Sequence, residues 1–276
     1  MFSLNCNGKL LFINKPLVMG ILNITDDSFY AGSRLQNIKN IKDISGQMLA
    51  DGADILDIGA QSTRPGSTRI SAEGELEKLL PIIEALKKSF SESIISIDTY
   101  HAKVAKECVA AGADIINDIS GGEMDKDMIK AVGNMGVPYI CMHIKGVPET
   151  MQQQANYENV TREILDFFIS KIEQCKREGI KDIIIDPGFG FGKNISQNFL
   201  LLKNLEVFKI LDKPIMAGLS RKSTIYKTLK ISPEESLNGT AILNTIALLK
   251  GVSILRVHDV KEAREAISLI DAYRNA

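Results

Sequence analysis

The sequence predicts an α/β fold, a closed (β/α)8 barrel, and three observations predict it. Short, β-rich apolar runs alternate with longer stretches of helical periodicity from residue 16 onward. The runs number eight and are almost continuously hydrophobic, as parallel strands covered on both faces must be. The chain has 276 residues, which suits one barrel of about 250 residues with a short extension. Eight units favour closure over an open doubly wound sheet. No linker, low-complexity segment or charge block divides the chain, so residues 1–276 read as one domain.

The elements follow in order. SLNCNGKLLFI (3–13) places Asn-Gly between two short apolar runs and predicts a β-hairpin, which could plug the barrel floor. The eight runs are PLVMGILNI (16–24), DILDIGA (54–60), SIISIDTY (93–100), DIINDIS (114–120), PYICMHI (138–144), DIIIDPG (182–188), PIMAGLS (214–220) and SILRVHD (253–259). Helices are predicted between them, for example over 73–89, 160–178 and 234–250. The steps DGADIL, AGADII and EGIKDI supply a glycine that can end one helix in a left-handed cap before the next strand begins.

Composition narrows the function classes. Lys and Arg total 33 against 34 Asp and Glu, a balance without the basic excess of a nucleic-acid binder. No apolar run approaches the roughly 18 residues of a membrane span. The opening MFSLNCNGKLLFINK lacks the parts of a secretory signal, which points to a cytoplasmic chain. Cys6, Cys108, Cys141 and Cys175 are scattered without zinc spacing and read as buried free thiols.

What closes each strand is more informative. Asn23 ends the first, Asp57 lies in the second, Asp98 ends the third, and Asn117 with Asp118 closes the fourth. His143 and Asp186 close the fifth and sixth, the seventh runs into Ser220, Arg221, Lys222 and Ser223, and the eighth carries Arg256, His258 and Asp259. In a parallel barrel these ends meet on the face where βα loops build active sites. Any single Asp or Asn there could cap the following helix. Capping does not account for carboxylate, amide, ammonium and guanidinium converging together. Asp98, Asp186 and Asn117 can hydrogen-bond a flat, donor-rich heterocycle, and Lys222 can reach a ring carbonyl or nitrogen. Asn23, Thr63, Arg64, Arg256 and His258 form a cationic, donor-rich rim suited to phosphate or pyrophosphate. Thr63-Arg64-Pro65 then reads as a loop that clasps an anion, the alternative being a solvated surface loop.

These residues closely resemble the dihydropteroate synthases. The resemblance rests on MGILNITDDSF (19–29), DIGAQSTRPG (57–66), SIDTYHAKVAKECVAAGADIINDISGG (96–122), CMHIKGVPETMQ (141–152), DPGFGFGK (186–193), GLSRKS (218–223) and LRVHDV (255–260), in the family's order across nearly the whole chain. It implies a TIM barrel, a homodimer, and the joining of 6-hydroxymethyl-7,8-dihydropterin pyrophosphate to p-aminobenzoate with release of pyrophosphate and 7,8-dihydropteroate. It further implies that Asp98, Asn117, Asp186 and Lys222 bind the pterin ring, with Met142, Phe191 and Gly218 lining its pocket. Arg256 would stack on the ring and reach the anion, and Asn23 would be the Mg²⁺ ligand. Thr63, Arg64 and His258 would contact pyrophosphate, while Pro65, Phe29 and Ser223 would border the aminobenzoate. Lys222, Arg256, His258, Thr63 and Arg64 are thus the expected catalytic set.

The chain departs from the family in its first loop. Asp26 stands where a restrictive Pro is usual and Ala31 where a carboxylate is usual, and Ala60-Gln61 replaces Gly-Glu. Altered loop closure is expected, with the chemistry retained. Other tempting residues have plainer readings. GFGFGK (188–193) lacks Walker spacing and reads as a tight turn that places Phe191. His101 reads as solvated, His143 as packing or hydrogen bonding near the site. Lys42, Lys87-Lys88 and Lys176-Arg177 read as polar helix faces, and the stripe 164–172 as helix-on-barrel packing with a part that could serve a dimer. Two rival functions remain: a pterin-dependent corrinoid methyltransferase and a non-catalytic pterin-binding module. Neither needs an anion rim.

Overall fold

The computed structural model describes residues 1–24, 34–61 and 69–276, with the backbone alone for 34–36. The chain starts with the expected hairpin, β1 (Phe2–Cys6) and β2 (Lys9–Ile13), paired antiparallel. Asn7 and Gly8 turn it with positive φ values of 51° and 89°, the conformation that makes Asn-Gly the favoured two-residue hairpin turn.

The alternation then runs as predicted: β3 (Leu17–Asn23), α1 (Arg34–Ala50), β4 (Ile55–Gly59), α2 (Ala72–Ser89), β5 (Ile94–Asp98), α3 (Ala102–Ala110), β6 (Ile115–Asp118) and α4 (Met128–Met135). It continues through β7 (Tyr139–Met142), α5 (Val160–Arg177), β8 (Ile183–Asp186), α6 (Ile195–Lys203), β9 (Met216–Ala217), α7 (Ser223–Leu229), α8 (Leu237–Leu249), β10 (Ile254–Val257) and α9 (Val260–Arg274). The predicted helix over 234–250 divides into a 3₁₀ turn at Glu234–Ser236 and α8. Gly52, Gly112 and Gly179 take φ of 99°, 111° and 86°, so the three glycine steps turn the chain in the left-handed region as expected.

Eight parallel strands form one sheet in the order β8-β7-β6-β5-β4-β3-β10-β9. A parallel bridge between Ile185 and Ile215 joins its two edges, so the sheet closes as a barrel. The seventh barrel strand is shorter than its apolar run suggested, because only Met216 and Ala217 pair with β10.

Side chains divide by the period-two rule. Val18, Leu56, Ile95, Ile97, Ile116, Cys141, Ile183, Ile185 and Leu255 face outward into the main core under the helices. Met19, Ile55, Ile94, Ile115, Ile140, Ile184, Met216 and Ile254 face inward and fill the lower barrel. Leu4, Cys6 and Ile13 of the hairpin pack in that same cluster. The hairpin therefore plugs the floor, anchored where the Asn5 amide donates to Asp182 at 2.8 Å and the Asn7 side chain to the Ala113 carbonyl at 3.2 Å.

Two lysine and histidine expectations change. Lys87 is not a solvated face residue: its ammonium pairs with the buried Asp114 carboxylate at 2.5 Å and the Ser93 carbonyl at 2.9 Å, tying α2 to the base of β6. His101 is half-buried against Tyr100, with ring centroids 4.6 Å apart. The first amide of α3 is capped instead by Asp125, which accepts from Ala102 at 2.7 Å.

Candidate active site

Two residues above the apolar floor, the same inward phase turns polar on five of the eight strands. Asp57, Ser96, Asn117, Asp186 and Arg256 each follow an inward floor residue by two positions. Asp98 stands one tier higher, in register with Gly59 and, beyond it, Asn23. A Cβ on Gly59 would meet the Asp98 Cβ at 3.1 Å, so glycine leaves room between these two rim residues.

Arg256 organises the interior. Its Nε donates to Asp57 Oδ2 at 2.6 Å and its Nη2 to Asp98 Oδ2 at 2.6 Å. Asn117 Nδ2 donates to that same Asp57 oxygen at 3.0 Å. Burial opposes the guanidinium's charge, but the Asp57 and Asp98 carboxylates outweigh it and raise its pKa. Burial raises the Asp98 pKa above the usual carboxylate range, with Arg256 pulling it back down. Asp186 is also raised by burial, partly offset by the nearby Lys222 charge and by the Gly188 amide, which donates to its Oδ1 at 2.8 Å.

Lys222 comes from the turn after β9. Its ammonium donates to the Phe189 carbonyl and lies 4.7 Å from the Phe191 ring centroid. Burial lowers its pKa to about 8 against the pull of Asp186. Gly218 sits close beside both cations, since a Cβ there would make ordinary contact with the ammonium at 3.6 Å and with the Arg256 Cβ at 3.9 Å. Met142, Ile119 and Tyr100 form a small apolar cluster with Phe191 packed against it, separate from the main core. Apolar side chains beside a few converging polar groups are the lining typical of small-molecule sites.

The turn GFGFGK is a turn, as expected, and Lys193 is its keystone. The Lys193 ammonium is buried and meets the Gly188 carbonyl at 2.9 Å, the Phe191 carbonyl at 3.0 Å and His143 Nδ1 at 3.1 Å. Burial pushes the lysine pKa far down, and pushes His143 down to about 2, so the imidazole is neutral. His143 also packs edge-on against Phe167. Gly188, at φ 69°, admits no side chain, because a Cβ would come within 2.0 Å of the His143 carbonyl oxygen.

At the rim, His258 is exposed, and its Nδ1 lies 3.0 Å from Ser220 Oγ. Desolvation of the ring first, and the Arg256 charge second, push its pKa down. Arg221, at φ 55°, turns away to a bidentate pair with Asp259 at 2.7 and 3.0 Å. Ser223 opens α7 and lines a neighbouring cleft with Gln152, Lys193 and Lys227. Asn23 is exposed at the end of β3. Phe29, Thr63, Arg64 and Pro65 lie outside the described residues, as do Asp26 and Ala31.

Asp118 does not join this group. It has the outward phase and accepts from Ser120 N at 2.8 Å, Gly122 N at 2.7 Å and the Tyr139 hydroxyl at 2.7 Å, so it ties down the β6 turn. Asp57 and Lys193 were given no role from sequence. The inward phase of Asp57 in an otherwise apolar strand was the available signal, whereas Lys193 has a partner set that only the folded loop creates.

The chain matches the family described as pterin binding enzyme over residues 19–258. It is 40% identical to the dihydropteroate synthase of Escherichia coli K12, over 98% of this chain and 95% of that one. The crystal structure of Yersinia pestis dihydropteroate synthase in a sulfonamide drug complex superposes with a TM-score of 0.93 at 38% identity, covering 100% of both chains. Xanthomonas albilineans dihydropteroate synthase with 4-aminobenzoic acid superposes with a TM-score of 0.91 at 35% identity, covering 99% of this chain and 98% of that one. With a polar tier of Asp57, Asp98, Asn117, Asp186 and Arg256 above a plugged floor, and with these likenesses along nearly its whole length, this chain belongs to the pterin-binding enzymes, in the dihydropteroate synthase family.

Proposed function

We infer that the chain is a dihydropteroate synthase, a transferase of folate biosynthesis. It joins 6-hydroxymethyl-7,8-dihydropterin pyrophosphate to p-aminobenzoate and releases pyrophosphate and 7,8-dihydropteroate. The observation that carries this reading is the gathering of Asp98, Asn117, Asp186, Lys222 and Arg256 in one mouth, in a chain similar to dihydropteroate synthases along nearly its whole length.

The site residues have these roles. Asp98 and Asp186 accept from the donor-rich edge of the pterin, Asn117 bonds its ring, and Lys222 donates to a carbonyl or ring nitrogen. Met142, Phe191 and Gly218 line the ring's pocket. Arg256 stacks on the ring and reaches the pyrophosphate with its outer edge, joined by His258 and by Thr63 and Arg64. Phe29, Pro65 and Ser223 border the aminobenzoate, where a sulfonamide would compete.

Mg²⁺ fits the donor chemistry. Among the described residues no cluster of three His, Cys, Asp or Glu could hold a metal. Asn23 offers one hard oxygen at the rim, and Mg²⁺ is commonly bound by one or two protein oxygens completed by substrate phosphates and water. Mg²⁺ held at Asn23 would neutralise charge on the departing pyrophosphate.

The reaction breaks the C–O bond to pyrophosphate and forms a C–N bond to the aminobenzoate nitrogen, which then loses a proton. An aromatic amine is already a free base at neutral pH, so no strongly activated general base is required. Charge grows on the leaving group, and the Arg256 and His258 donors meet it there. The electron-rich dihydropterin stabilises a cation-like carbon. The chain works as one domain, in the cytoplasm, as its four free cysteines suit, and no helix among the described residues is long and apolar enough to cross a membrane. Two copies associate through α6, α7 and α8, which expose Phe199, Leu200, Leu229, Ile242 and Leu249.

Pyrophosphate release, assayed with each component omitted in turn, tests the transferase reading. Release that needs pterin pyrophosphate, p-aminobenzoate and Mg²⁺ together is expected. Release without the aminobenzoate would mean hydrolysis and would remove the reading, as would transfer of a methyl group.

A further inference from the structure

We propose that Asp57 is a positioning residue that holds Arg256 as a pivot, so that pterin binding at Asp98 turns the guanidinium's outer edge toward the pyrophosphate. The inference rests on the transferase reading and goes further into it.

The geometry is asymmetric. Arg256 divides its donors between two carboxylates, Nε to Asp57 and Nη2 to Asp98, both at 2.6 Å. The two acceptors are not alike. The Asp57 side chain is wholly buried, whereas that of Asp98 is 13% exposed and stands at the mouth. A donor-rich ring entering from the mouth meets Asp98 first and competes with Nη2 for it. It does not reach the deeper Asp57 without displacing Arg256 itself. Nη2 is thereby released while Nε stays fixed, and the planar guanidinium has one remaining direction in which to satisfy its donors, toward the anion. Asp57 Oδ2 also accepts from Asn117, so a single oxygen sets the side chains of two substrate-contacting residues.

Simple charge balance for a buried arginine is the competing account. It would require only a carboxylate nearby, whereas a pivot requires that carboxylate at one position. Asp57→Glu separates the two, since it keeps the charge and advances it by one methylene. Asp57→Asn removes the charge with the shape kept.

The experiment measures kcat and both KM values for the wild-type chain, Asp57→Asn, Asp57→Glu, Arg256→Ala and the doubles with Arg256→Ala. Each Asp57 variant should lower kcat/KM for pterin pyrophosphate roughly tenfold or more. The KM for p-aminobenzoate should stay within about twofold of the wild type. In the Arg256→Ala background, either Asp57 substitution should have little further effect, because its action runs through the arginine. Asp57→Glu carries the test alone if Asp57→Asn does not fold. Wild-type kinetics in Asp57→Glu, or penalties that simply add to that of Arg256→Ala, would overturn the pivot. The wild-type control tells the two readings apart. If the wild-type chain forms no dihydropteroate, the transferase reading falls and takes this one with it. If wild type and both Asp57 variants are equally active, only the pivot falls.

Discussion

Asp98 meets two demands at once, accepting from Arg256 at 2.6 Å while facing the opening where a pterin donor would arrive. Asp98→Asn keeps its shape and loses its charge. Pterin affinity should weaken by roughly 1.5–3 kcal/mol, the value of a hydrogen bond to a charged group. Because burial raises the folded pKa of Asp98, the wild-type affinity should also decline as pH falls through that raised value. Titrating a pterin ligand calorimetrically across pH checks both points. An Asp98→Asn affinity equal to that of the wild type would take the residue out of the pocket. Most such residues were legible in the sequence, because a polar side chain at the end of an apolar strand is conspicuous. Asn117 and Asp118 show how far that goes. Both close the same strand, and only the inward or outward phase in the folded barrel separates a candidate site residue from a turn anchor.

Among elements, α2 carries an unusual burden. Glu75, in its first turn, is 0% exposed, and neither carboxylate oxygen has a hydrogen-bond partner of normal geometry. Burial raises its pKa to about 8, and the Asp98 charge adds to the rise. Below about pH 4.5 the group is protonated in folded and unfolded chains alike, so its ionisation adds no cost. Between there and pH 8 the unfolded chain ionises and the folded one does not, so stability falls as pH rises, by about 1.4 kcal/mol per unit. Glu75→Gln should therefore melt like the wild type near pH 4 and well above it at pH 9. Thermal melts over that range decide it, and a constant difference between the two proteins would refute the assignment. Strands and helices were themselves legible from periodicity, whereas the burial of Glu75 was not. It sits in a run that reads as a charged helix face, and only the packing of α2 against the barrel removes it from water. Lys87 was hidden in the same way.

For the whole molecule, closure of the sheet was predictable from eight apolar runs and chain length, since strand count alone limits the architectures available. The floor plug was legible as a hairpin, and its docking surface only as a guess. Assembly has a different signal. The stripe 164–172 leaves Ile169 exposed, but α6 to α8 leave more apolar surface uncovered, including Leu200 at 45%, Ile242 at 52% and Leu249 at 49% exposed. Sedimentation velocity should find two copies per particle, and Ile242→Asp should shift the particle toward the monomer. A monomeric wild type across micromolar concentrations would end the proposal.

The hairpin beneath the barrel has a kinetic corollary. Among the described residues the hairpin fills the barrel floor, so a ligand that settles beside Asp186 would arrive and depart past the rim at the opposite end. A second reactant lodged at that rim bars the way in for the first and traps one already inside. With the pterin deep and the aminobenzoate at the rim, as proposed, initial-rate and product-inhibition kinetics should show loading in sequence, deep partner before shallow.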